Sequence, residues 1–193
     1  MVRQREFDEE KALDEAMLLF WEKGYKATTL SDLTAKMGIQ RPSLYSAFGD
    51  KEDLFEAALR KYTNRHAAHI RKKLQNNLST KEAFHTLFAE LVEEEYGDGL
   101  SKGCFCINTI VELAPHEKKF EILTREHQMY LSVIFEEKIV QGIRSGELES
   151  RLNARALAQA LVVSFIGLTV LMKSRPERSF VDDSVATILS ILK

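Results

Sequence analysis

The sequence predicts an all-α protein: an N-terminal three-helix helix-turn-helix domain followed by a C-terminal helical domain, about nine helices in total. Two observations point there first. Only three prolines and nine glycines occur in 193 residues, with no internal repeat and no low-complexity tract. The period-two alternation of half-buried strands is almost absent, while apolar residues recur at three- and four-residue spacing. A third observation, two short helical patterns joined across a glycine, gives the N-terminal part its architecture.

The elements follow from their punctuation. A first helix is expected from about Glu9 to Lys23, with Asp8 as N-cap and Gly24 as the left-handed stop. Leu13, Ala16, Met17, Phe20 and Trp21 fall on one stripe of it. A second helix begins after Thr29, whose hydroxyl and Asp32 form a capping box; Leu30, Leu33 and Met37 face inward and Gly38 ends it. The third runs from about Arg41 to Phe48, with Pro42 in the first turn, where no N–H partner is required, and with Leu44 and Phe48 inward. Asp50 caps a long fourth helix carrying Leu54, Phe55, Ala58, Leu59 and Tyr62.

After Thr80 a helix places Phe84, Leu87, Phe88, Leu91 and Val92 on one stripe and ends near Gly97, before a "GDGLSKG" loop. A short helix reaches Leu113 and is stopped by Pro115; a long one runs from about Glu117 to Arg144. Asn153 caps an apolar helix, and Val181, Val185, Ile188, Leu189 and Leu192 define the last. Within the apolar helix, residues 156–172 carry no charge, but this run of 17 is shorter than the roughly 20 a spanning helix needs. It reads as core and partner contact rather than lipid contact.

Charge distribution is more informative than the net charge of −2. Residues 1–22 hold three basic and seven acidic side chains, residues 23–51 five basic and two acidic, and residues 52–60 one basic and three acidic. The positive stretch coincides with the two short helices. Helices of about eight residues are marginal alone and must be held by their neighbours. With Leu30, Leu33, Ile39, Leu44 and Phe48 inward, Gln40, Arg41, Ser43, Tyr45 and Ser46 are left largely outside. Gln and Arg can read base edges in a major groove, and hydroxyls suit phosphate oxygens. Lys51 and the N–H groups at the start of the fourth helix make a second candidate anion site.

Over about residues 18–59 the chain resembles the TetR family of bacterial transcriptional regulators. Gly-Tyr-x-x-Thr-Thr at 24–29, a helix ending in Gly38-Ile39, Leu-Tyr-x-x-Phe at 44–48 and Lys-Glu-x-Leu at 51–54 recur together in that family. The resemblance implies a helix-turn-helix domain over 1–50, a connecting fourth helix over about 51–75, and a ligand-binding and dimerisation domain over 76–193. It implies a homodimer on a palindromic double-stranded DNA operator, most simply a repressor released by a small, largely apolar effector. Thr29, Tyr45 and Lys51 would contact phosphates and Gln40, Arg41, Ser43 and Ser46 bases, with Thr28 and Pro42 completing the DNA-facing set.

The same resemblance suggests an effector site lined by Phe84, Phe88, Cys104, Phe105, Ile107, Phe120, Tyr130, Ile134 and Phe165. It also suggests a four-helix interface between subunits, made by Leu157, Leu161, Phe165, Leu168, Val185, Ile188, Leu189 and Leu192.

Cys104 and Cys106 are too few and too close for a disulfide framework, which fits a reducing cytoplasm, and the start "MVRQREFDEE" lacks the apolar stretch of an export signal. Near a helix start and Lys102, a cysteine-based redox or electrophile sensor is an alternative. His66 and His69 are three apart, but no acidic or thiol partner stands in register for a metal. No phosphate-binding glycine loop, nucleophile elbow or zinc-protease motif occurs, so neither an enzyme nor a cofactor is expected. An architectural DNA binder would have no need of the large apolar C-terminal domain.

Overall fold

The computed structural model describes residues 7–76, 79–97 and 102–192; residues 98–101, in the expected loop, lie outside them. Among the described residues the chain is entirely helical outside its turns. The helices are α1 (Glu9–Lys23), α2 (Leu30–Met37), α3 (Arg41–Phe48), α4 (Lys51–Leu74), α5 (Thr80–Tyr96), α6 (Phe105–Glu112), α7 (Lys118–Arg144), α8 (Ala154–Met172) and α9 (Arg178–Leu189).

The caps explain most of these boundaries. Asp8 accepts from the Lys11 N–H, and Thr29 and Ser79 form reciprocal capping boxes with Asp32 and Glu82. Asn153 accepts from the Ala156 N–H. Gly38 closes α2 in the left-handed conformation, φ 68°, which opens the sharp turn into α3 at little steric cost. The last helix stops at Leu189, three residues before the expected Leu192, which is still buried in the turn that follows.

Packing divides the chain into two compact units. The first draws on the chain up to Asn64 together with Cys104–Thr124; the second draws on Arg65–Gly103 and Arg125–Lys193. This division falls inside α4 and α7, and it gives α6 to the unit that holds the helix-turn-helix.

Leu33, Leu44, Leu54, Phe55 and Leu59 are sealed in the first unit. Phe55 is ringed edge-on by Phe20, Tyr25, Phe105 and Phe120, with centroids 4.9 to 5.2 Å apart. Edge-to-face pairs of this kind are worth about 0.5–1.5 kcal/mol each beyond area burial. The second unit buries Phe84, Phe88, Phe135 and Phe165 with the inner faces of α8 and α9.

Candidate nucleic-acid interface

Helix α3 is held by its inner side and left bare on its outer one. Leu44 is fully buried, whereas Gln40, Arg41, Pro42, Tyr45 and Ser46 are exposed and Ser43 is half-buried. Nearly half of the Tyr45 surface meets solvent, a large aromatic that the core does not claim. Gln40 is the N-cap but makes no side-chain cap, and no acid lies in the first turn. The positive end of the α3 dipole is therefore uncompensated by any side chain of its own helix, which suits an anion at this point.

Arg41 reaches back to α2, where its Nη2 donates to the Ser31 hydroxyl at 2.8 Å. Two nearby cations are engaged otherwise: Lys23 faces Asp32 at 3.5 Å and Lys36 faces Glu15 at 3.3 Å. Lys51 Nζ sits 4.2 Å from the centre of the Tyr25 ring. Partial burial lowers the Lys51 pKa, and the Glu112 carboxylate works against that shift.

The two threonines differ. Thr28 is buried, and its hydroxyl donates to the Gly24 carbonyl at 2.6 Å, so the expectation that it faces DNA gives way to a role inside the turn. Thr29 is exposed but occupied: it accepts from the Asp32 N–H at 3.1 Å and donates to the Asp32 carboxylate at 2.9 Å. Hydrogen bonds from the Thr29 backbone and hydroxyl lower the Asp32 pKa.

The expected N–H groups at the start of α4 are also partly taken. Asp50 Oδ1 accepts from Glu52 N and Asp53 N at 2.8 and 2.9 Å, so the cap itself fills the place an outside anion would use.

Sequence reasoning missed two participants. Ser31 looked like an ordinary helix position, and Glu112 lies far along the chain, yet its carboxylate accepts from the backbone N–H groups of Tyr25 and Lys26. The partners of Glu112 are main-chain groups, which leave no side-chain signal to read.

The expected effector residues separate between the units. Phe84, Phe88, Ile134 and Phe165 lie in the core of the second unit. Cys104, Phe105, Ile107 and Phe120 are buried in the first, because α6 packs there and its Phe105 meets Phe55 and Tyr62. Tyr130 is exposed beneath Arg71.

The expected subunit-contact residues need a correction as well. Leu161, Phe165, Leu168, Val185, Leu189 and Leu192 are buried in the core of their own chain, and Leu157 and Ile188 pack against it. Helix α8 is apolar over most of its surface, and the residues left outside are Arg155, Ala156, Gln159, Ala160, Val163, Gly167, Val170 and Leu171. This helix is also long and apolar enough to cross a membrane, a property shared with core helices.

Both thiols are buried, and burial pushes the Cys106 thiol well up from its ordinary value. His66 Nδ1 lies 3.1 Å from His127 Nε2. Burial, with the neighbouring imidazole second, lowers His66 to about 3, and burial lowers His127 to about 4. Among the described residues no three His, Cys, Asp or Glu side chains are grouped to hold a metal.

Comparison with known proteins identifies the family. Residues 12–58 match the family described as bacterial regulatory proteins, tetR family, and residues 81–185 match a tetracyclin repressor-like C-terminal domain. The HTH-type transcriptional regulator YezE of Bacillus subtilis (strain 168) is 32% identical over 193 residues, covering 100% of both chains. The HTH-type transcriptional repressor ComR of Escherichia coli (strain K12) is 31% identical over 169 residues, 87% of this chain and 80% of its own.

Among solved structures, a cysteine mutant of the TetR family transcriptional regulator CifR, complexed with 26 bp double-strand operator DNA, superposes with a TM-score of 0.86. It is 30% identical, over 99% of this chain and 100% of that one. Two family models that together span most of the sequence, and a relative similar along its full length, lead to one conclusion: the chain belongs to the TetR family of bacterial regulatory proteins, which bind DNA and are not enzymes.

Proposed function

We propose that the protein is a homodimeric repressor, acting in the cytoplasm, that reads a palindromic operator near the genes it controls and is released by a small, largely apolar effector. The observation that carries this reading is the exposed edge of α3, where Gln40, Arg41, Ser43, Tyr45 and Ser46 surround an uncapped helix start. Gln40 and Arg41 supply the donors that base edges require, and Tyr45 and Lys51 the phosphate contacts that set register. ComR, similar over most of its length, is described as a repressor, which supports that direction of control.

We assign the subunit contact to the exposed apolar residues of α8, Val163 foremost, together with the exposed Phe180 and Ile191. Exposed large apolar residues of this kind mark an interaction surface, and the small Ala160 and Gly167 let a second helix approach closely. The effector is placed among Phe84, Phe88, Ile134 and Phe165 of the second unit; it would act by binding one conformation better than another, since only differential affinity shifts populations. A cysteine sensor has less support, because a reactive thiol needs an exposed, low-pKa setting and both thiols here are buried.

The test is selection of bound sequences from a random duplex pool by the full-length protein. An inverted repeat with half-sites about one helical turn apart, or a multiple of it, is expected. Recovery of a single unpaired half-site, or of no shared sequence, would contradict the reading.

A further inference from the structure

The turn between α1 and α2 is a backbone anion nest, and a side chain from far along the chain fills it. Gly24 stands at φ 81°, and the next two N–H groups converge on one carboxylate. Tyr25 N donates to Glu112 Oε2 at 3.0 Å and Lys26 N to Glu112 Oε1 at 2.7 Å. Successive N–H groups turned to one side make a concavity of positive partial charge, and hydrogen bonds to an ionised acceptor are about twice as strong as neutral ones. Glycine suits the position because L side chains rarely adopt φ 81°, and a Cβ there would lie 2.9 Å from Glu112 Oε2 and push the carboxylate aside.

What this turn carries gives the contact its meaning. The Gly24 carbonyl accepts from the Thr28 hydroxyl, one residue before the exposed Thr29. The Tyr25 ring lies under Lys51 Nζ at 4.2 Å and packs edge-on against Phe55 at 5.0 Å. Glu112 ends α6, on the Cys104–Thr124 segment whose sequence neighbours on both sides belong to the second unit. The same segment grips α4 again, where Lys119 Nζ bridges Glu52 and Glu56 at 3.0 Å each.

We propose that Glu112 is a positioning residue for duplex binding: its carboxylate fills the Gly24–Tyr25–Lys26 nest, and so holds Thr29 and, through the Tyr25 ring, Lys51 where phosphate oxygens meet them. The proposal rests on the reading of α3 and Lys51 as the DNA face. It adds a residue that makes no DNA contact of its own and that acts only through the turn and its aromatic seat. Removing the carboxylate leaves two N–H groups without their charged acceptor and frees the turn that carries the Lys51 platform.

The experiment measures the affinity of the full-length protein for a labelled random-sequence duplex as a function of potassium chloride concentration, because phosphate contacts are read there without an operator. Glu112→Ala is expected to lose about three- to tenfold in affinity and about one unit of salt slope, matching Lys51→Ala. The double variant is expected to lose no more than either single change, the signature of two residues acting on one contact.

Glu112→Gln keeps one acceptor oxygen, so an intermediate loss is expected; it carries the comparison if the alanine variant does not fold. Losses that multiply in the double variant, or a Glu112→Gln protein with wild-type affinity and slope, would overturn the positioning role while wild-type binding leaves the DNA reading intact. A wild-type protein indifferent to duplex at low salt removes both.

Discussion

In the proposed DNA-bound state Arg41 and Lys51 divide the work of recognition between them. Arg41 starts the exposed edge of α3 and, among the described residues, is tethered only to the neutral Ser31 hydroxyl, so its guanidinium can turn to a base without breaking an ion pair there. Arg41→Ala should cost about 1–3 kcal/mol on the operator and relax preference at one position, whereas Lys51→Ala should weaken all duplexes alike. Affinities on operator and random duplex separate the two outcomes, and equal losses for both variants on both probes would refute the division.

The His66–His127 pair sets a second expectation at this scale. Both folded-state values, about 3 and about 4, lie below the ordinary 6.5, so the unfolded chain takes up protons first as pH falls. Stability contributed by the neutral pair is complete above about pH 6.5 and drains away as pH drops toward the folded values. Melting temperatures of wild type should fall across that window, and His127→Gln should flatten the profile; parallel profiles would show that other groups govern acid lability.

At the level of the elements, α4 is separated from the end of α3 by two residues and carries its own anion, the Asp50 cap, over the N–H groups of Glu52 and Asp53. Asn caps as well as Asp but without charge. Asp50→Asn should therefore leave thermal stability within about 0.5 kcal/mol and tighten duplex binding several-fold at low salt, by removing a carboxylate that phosphate must approach. Unchanged affinity would place the DNA backbone away from the start of α4.

Legibility in the sequence follows the same line between local and distant. The ends of α1, α2 and α3 could be read from Asp8, Thr29, Gly24, Gly38 and Pro42, because caps and stops act within four residues. The outer edge of α3 was equally plain, since Leu44 alone fixes which side turns inward. The capping role of Thr29 could be read from Asp32 three residues on, whereas nothing local marked Thr28 as bound inward to the Gly24 carbonyl. Helix α8 largely defeated periodicity: with few polar residues to mark an outer side, the sequence does not say which apolar stripe meets its own chain.

For the whole molecule, the exposed stripe of α8 is the surface on which the proposed dimer would rest. Val163 is 70% exposed, so Val163→Glu should leave the fold intact while placing a charge against its copy in a symmetric contact. Light scattering should then report a monomer for the variant and a dimer for wild type, with operator affinity falling as the two half-sites lose their link. A variant that remains dimeric would move the interface elsewhere.

The inserted segment Cys104–Thr124 also governs how the protein is made. Phe105 and Phe120 close the ring around Phe55, at 5.2 Å each, yet they leave the ribosome some fifty residues or more after it. The nascent N-terminal helices therefore wait, with an apolar flank uncovered, until that later stretch emerges. A truncated polypeptide ending near Asn64 would be a poor stand-in for the DNA-reading half: it should aggregate or melt at low temperature, and adding residues 104–124 as a peptide should restore its helicity.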